Sequence, residues 1–244
     1  MPLPQMPPSK RYTLEVCAAS PEAVKASEGV ADRIELCIGL EVGGLTPDAG
    51  LMALAAETQI ETHVLIRPRC GDFAMTADEL GVALRSIRAT QEFGLAGVVI
   101  GAERDGALDQ DALKAMIDAA GDLYVTLHRV IDVVKDPIAA LEVAIELGCT
   151  RVLSSGGAPT AQAGRGALRQ LQQASQGRIE IMAGGGITHR TLPMLMADSD
   201  LTSFHASCTT EQQLPPDYAT RGFGVAARIF DRAELTRLAA LFAE

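Results

Sequence analysis

The chain of 244 residues is 48% hydrophobic and acidic, with 31 Asp and Glu against 21 Lys and Arg and a pI near 4.9. Such a charge repels phosphate backbones and anionic membranes, which argues against nucleic acid and membrane partners and leaves any anion to a local site. No run approaches the roughly 18 uninterrupted apolar residues of a membrane span, and five cysteines in a chain of this length read as the reduced thiols of a cytoplasmic protein.

The proline-rich start MPLPQMPPSKR has no apolar signal core, so residues 1–10 read as a loose tail and residues 11–244 as one domain. From there an apolar strand, a polar turn and a helix recur along the chain. The strands are read in YTLEVC, DRIELC, ETHVLIRPR, GLAGVVIGA, DLYVTLHR, CTRVLSS, RIEIMAGGG and LTSFHASC. Segments such as DALKAMIDAAG and DPIAALEVAIELG have helical spacing between them, and several helices end at Gly or Asp before the next strand. Eight β/α units in about 250 residues predict an α/β fold, a single-domain (β/α)8 TIM barrel, with a doubly wound open sheet as the alternative. The stretch TTEQQLPPDYATRGFG after the last strand is expected to be irregular.

In a barrel strand, side chains two apart share a face, and one face points into the lumen. The polar residues fall on one parity: Thr13, Glu15 and Cys17; Arg33, Glu35 and Cys37; His63, Leu65 and Arg67; Thr126 and His128; Ser203 and His205. Leu14, Val16, Ile34, Leu36, Val64, Ile66, Val125 and Leu127 alternate with them and suit the helix-facing side. Charges are rarely buried unless paired, so Glu15, Arg33, Glu35, Arg67, His128 and His205 are expected to converge in one water-filled lumen as the catalytic or binding cluster. A purely structural ion-pair network is the competing reading. Most of these residues lie towards the C-terminal strand ends, where barrel enzymes keep their sites, and this favours function.

The elements LEVC, DRIELC, GGLTP, RPRCGDF, HRVID, SSGG and AGGGI, in this order over nearly the whole chain, resemble the CutC family, the copper homeostasis proteins. RPRCGDF and the GGLTP that follows DRIELC are the most specific of them. The resemblance implies a (β/α)8 barrel, copper binding and handling in the cytoplasm, and a homo-oligomer.

Two chemistries fit the residues. Copper(I) prefers thiolate sulfur with imidazole support, and Cys17 and Cys37 end neighbouring strands with the same inward parity, which makes them the candidate metal ligands. Cys149 belongs at the opposite barrel end as a packing residue, Cys70 and Cys208 lie in loops on the site side, and His63 and His189 read as structural or solvated. The other chemistry is metal-independent aldol, isomerase or lyase catalysis on a small phosphorylated or carboxylated metabolite. For it, Ser155, Gly156, Gly184, Gly185 and Gly186 would offer backbone N–H groups to an anion, with Arg67 or Arg69 supplying a guanidinium fork oriented by Asp72. His128 and Glu15 would be the general base and acid, in either order. The scarcity of lysine argues against Schiff-base chemistry.

Overall fold

The structure, a computed structural model, describes residues 12–198, 200–222 and 224–242; the tail expected over residues 1–10 lies outside them. In chain order the strands are β1 (Thr13–Ala18), β2 (Arg33–Leu36), β3 (Glu61–Leu65), β4 (Gly97–Ile100), β5 (Glu103–Arg104), β6 (Ala107–Leu108), β7 (Tyr124–Leu127), β8 (Arg151–Ser154), β9 (Glu180–Gly184), β10 (Ser203–Ala206), β11 (Thr209–Gln213) and β12 (Ala226–Phe230). The helices are α1 (Pro21–Ser27), α2 (Ala49–Ala56), α3 (Ala77–Glu92), α4 (Gln110–Ala120), α5 (Pro137–Glu146), α6 (Arg165–Ser175), α7 (Leu192–Asp198), α8 (Pro216–Thr220) and α9 (Arg232–Ala240). Strands β1, β2, β3, β4, β7, β8, β9 and β10 pair in that order, all parallel, and β10 pairs back onto β1. That closure makes the fold a (β/α)8 TIM barrel and excludes the open sheet. Among the described residues no helix is long and apolar enough to cross a membrane.

Local chemistry starts the helices where the strands release the chain. Ser20, Asp48, Asp109, Asp136 and Asp231 each accept an amide hydrogen bond as N-caps, and Pro21 and Pro137 pre-set the first helical turn. Thr76 and Glu79 close a reciprocal capping box at the start of α3. These caps absorb amide donors that would otherwise be orphaned near the C-terminal strand ends.

The register makes the strand alternation physical. Glu15 stands opposite both Arg33 and His205, and Cys17 stands opposite Glu35. Leu14, Val16, Ile34, Leu36, Val64, Ile66, Val125 and Leu127 join one apolar layer between the strands and helices. Cys17, Cys37, Leu65 and Val99 form a separate small cluster inside the barrel.

The stretch expected to be irregular is ordered. β11 and β12 pair antiparallel, Thr209 opposite Phe230 through Gln213 opposite Ala226, and the connection carries α8. The largely polar β11 lacks a buried face to betray its period, so its strand character comes from a partner well downstream rather than from local hydrophobic alternation. The connection after β4 is a second hairpin, β5 to β6, turning through Asp105 and Gly106, both at positive φ, as a type I′ turn requires.

Phe204 is the largest fully buried side chain; on β10 it packs outward against Tyr12 and Phe242, with ring centroids 6.2 Å away in each case. Phe204→Ala is expected to lower stability by about 3–5 kcal/mol, through lost transfer energy and the cavity left behind, as read by chemical denaturation.

Candidate functional site

The barrel interior is built upward from a buried carboxylate. Glu15 is inaccessible; one carboxylate oxygen is held by Arg33 Nε and the other lies 2.7 Å from His205 Nδ1. Burial alone would favour the neutral acid, and Arg33 and His205 outweigh it, holding Glu15 well below the usual carboxylate range. Burial likewise opposes a charged His205, but Glu35, Cys17 and Glu15 together raise its pKa well above that of free imidazole. Arg33 reaches on to Glu61 at 3.6 Å and Met182 Sδ at 3.6 Å, and Arg151 pairs with Glu180 at 2.9 Å. His63 is buried beside Glu61 and stacks on Tyr124 at 5.8 Å, a structural placement.

Above this floor the two strand-end thiols meet, with Cys17 Sγ 3.1 Å from Cys37 Sγ. Cys17 also lies 3.6 Å from Glu35 Oε1. One ligand atom each from Cys17, Glu35 and His205 falls within 4.8 Å of the others, an arrangement that can hold a metal ion. The hydrogen bond to Cys37, burial and the nearby Glu35 push the Cys17 thiol well up, and burial raises the Glu35 carboxyl. Cys149 is buried in the outer apolar layer just before β8, with its thiol pushed up to about 12 by burial. Cys70 is exposed and Cys208 is buried.

A cavity of about 200 Å³ opens over the thiols, lined on one side by Cys17, Glu35 and His205 and on the other by Arg67, His128, Arg129, Gly185 and Gly186. Glu15 and Arg33, expected in a common lumen with these groups, do not line the cavity; they lie beneath it because they stand two residues before Cys17 and Glu35 on the same strands. Arg67 follows β3 and donates to the carbonyls of Val42 at 2.8 Å, Gly44 at 2.9 Å and Gly71 at 2.8 Å, with its guanidinium 5.2 Å from the centre of the Phe73 ring. His128 follows β7 and accepts the Val130 amide at Nδ1, which leaves the proton on Nε2. Burial and the Arg67 charge lower its pKa to about 3, so the ring is neutral.

Several expected anion-binding residues stand elsewhere or are already engaged. Arg69 turns away from the cavity, bonded to Glu79, to Asp72 at 2.8 Å and to the Ala74 carbonyl at 2.7 Å. Asp72 does orient it, but outside the site. The Ser155 turn holds an anion of the protein's own: Asp132 accepts from the Ser155 amide at 3.0 Å, the Gly157 amide at 3.0 Å, Ser154 Oγ at 2.6 Å and Arg129 Nε at 2.7 Å. The Gly156 amide donates to Ser154 Oγ at 2.8 Å. Gly184 belongs to β9 beside Leu153 and His205, with no room for a Cβ, and does not line the cavity. His189 pairs with Glu234 at 2.6 Å.

Sequence reasoning missed Arg129, Asp132, Phe73 and Arg228. The first two stand in HRVID and Phe73 in RPRCGDF, motifs that were visible, whereas Arg228 reaches the cavity on the unforeseen β12. Burial works against the Asp132 charge, but Ser154, Ser155, Arg129 and Gly157 overcome it and hold its pKa below the ordinary value. A carboxyl with a depressed folded-state pKa stabilises the fold above the roughly 3.9 of free Asp and loses that contribution as pH falls through the folded value. Asp132→Asn is therefore expected to cost about 2–4 kcal/mol at neutral pH, with a smaller deficit near pH 3, as read from denaturation midpoints at both pH values. An equal deficit at both would show that the charge is not its source.

The profile of the CutC family matches residues 12–210. A CutC family protein of Rhizobium meliloti is 45% identical over 204 residues, covering 83% of each chain. The human copper homeostasis protein cutC homolog is 42% identical over 199 residues, 80% of this chain and 73% of that one. A solved CutC structure from Streptococcus agalactiae superposes with a TM-score of 0.77 at 27% identity, covering 80% of this chain and 98% of that chain. With the family profile spanning most of the chain and relatives above 40% identical over some four-fifths of it, this protein belongs to the CutC family.

Proposed function

We propose that the chain handles copper by binding Cu(I) between Cys17 and Cys37, with His205 as the supporting imidazole. The observation that carries this reading is the 3.1 Å approach of two buried thiols at the edge of a cavity. Two sulfurs and an imidazole form a soft donor set suited to Cu(I); both thiols must lose protons to serve as thiolates, and His205, whose pKa is raised, must lose one to ligate. With metal–sulfur bonds of about 2.3 Å, as for zinc, 3.1 Å would force a cramped angle of roughly 90° at the ion, so the sulfurs part on binding. Cys17 lines the cavity and meets an incoming ion first; Cys37 waits behind it. All five cysteines are free thiols, which suits the reducing cytoplasm in which Cu(I) persists.

Anaerobic titration with Cu(I) against a competing chelator tests the reading. The parent is expected to take up one tight equivalent, and the Cys17→Ser, Cys37→Ser double variant to bind at least about 100-fold more weakly with its far-ultraviolet circular dichroism unchanged. A parent that binds Cu(I) no better than the double variant overturns the proposal.

A further inference from the structure

The wall of the cavity opposite the thiols has a charge problem that copper does not solve. Arg67 is 8% exposed, and among the described residues no carboxylate pairs with it. Its three hydrogen bonds run to backbone carbonyls, whose dipoles orient the guanidinium without neutralising it, and its buried Nε has no partner. Burying a cation without a counter-charge is unfavourable, so one kept beside a cavity points to an anion as its partner. Asp132 does not serve, since its oxygens are taken by Arg129, Ser154, Ser155 and Gly157.

The groups around Arg67 agree. His128 is 5% exposed and its Nε2, which carries the proton, has no hydrogen-bond partner. Gly185 and Gly186 line the same cavity at positive φ, and the Gly186 amide has no backbone partner among the described residues. Arg129 stands against Gly185, where an added Cβ would lie 3.5 Å from its Nη1. Arg67, His128, Arg129 and the two glycines thus line one small space, and no carboxylate stands among them.

We infer that this wall binds the oxyanion of a small metabolite, a carboxylate or phosphate group, with Arg67 as its counter-charge and His128 Nε2, Arg129 Nη1 and the Gly186 amide as donors. The site differs from the turn expected at Ser155 and Gly156, which the protein fills with Asp132. Its ligand is small because the cavity of about 200 Å³ is walled by the strand ends and the β11–β12 hairpin. The neutral His128 donates without adding charge, so a single anionic group balances Arg67.

Thermal unfolding with inorganic phosphate or malonate, each at about 10 mM and compared with chloride at matched ionic strength, tests the inference without copper. The parent is expected to gain at least about 2 °C with one probe, and the preferred probe identifies phosphate or carboxylate as the recognised group. Arg67→Met should abolish the gain, and His128→Ala should weaken binding about tenfold, as read by calorimetry. No gain with either probe overturns the inference, and so does an equal gain in Arg67→Met, which would mean an adventitious ion only. If Arg67→Met fails to fold, the parent's response and the loss in His128→Ala decide. Because this readout involves no metal, its failure leaves the Cu(I) titration standing, and the reverse also holds.

Discussion

The interior of this barrel rests on the carboxylate of Glu15, buried where water cannot reach it and shared between Arg33 and His205. A lone carboxylate at that depth would be neutral or would open the structure. Flanked on both oxygens by cations it stays charged, and with Glu35 and Cys17 it raises the pKa of His205 in turn. The pair Glu15 and Arg33 satisfies the bottom of the lumen, so the chemistry above it is free to be asymmetric. Register makes the triad unavoidable: the residues opposite Glu15 on its two neighbouring strands are Arg33 and His205.

Above that floor the cavity has two unlike walls. On one, Cys17, Glu35 and His205 offer sulfur, a carboxyl and an imidazole within one ion's reach. On the other, Arg67, His128 and the glycine loop present positive charge and N–H donors with few acceptors. Soft-metal binding and oxyanion binding ask for different groups, and the closed barrel brings both sets to one opening because every parallel strand ends on the same side. Cys17 and Arg67 line the same cavity, so the two readings share one space.

Asp132 shows how a loop that resembles a ligand site can already be full. The Ser154–Gly157 turn has the amide-rich geometry that holds phosphate in other barrels, and here an aspartate from the end of the β7 connection occupies it. The adjoining Gly185–Gly186 turn is left with its Gly186 amide unused. The difference lies in which acceptors the neighbouring loop brings, and Arg129 ties the two turns together by bonding to Asp132 and to Ser155 Oγ at 2.6 Å.

What the sequence determined by itself was everything carried by period and parity. The recurrence of strand, turn and helix specified eight parallel units, and alternation along β1 and β2 placed Glu15, Cys17, Arg33, Glu35 and Cys37 on one face. These are local properties, since side-chain direction follows from the strand backbone alone. Only the tertiary structure decided the partners. Arg67 and Arg69 stand two residues apart, yet one is buried over the cavity and the other is bound at the surface by Asp72 and Glu79. Glu15 and Arg33 sink beneath the cavity, Asp132 fills the turn expected to bind a ligand, and β11 becomes a strand by pairing with β12. Each outcome is a competition for donors and acceptors among segments distant in the chain, and no pattern within one segment records who the competitors are.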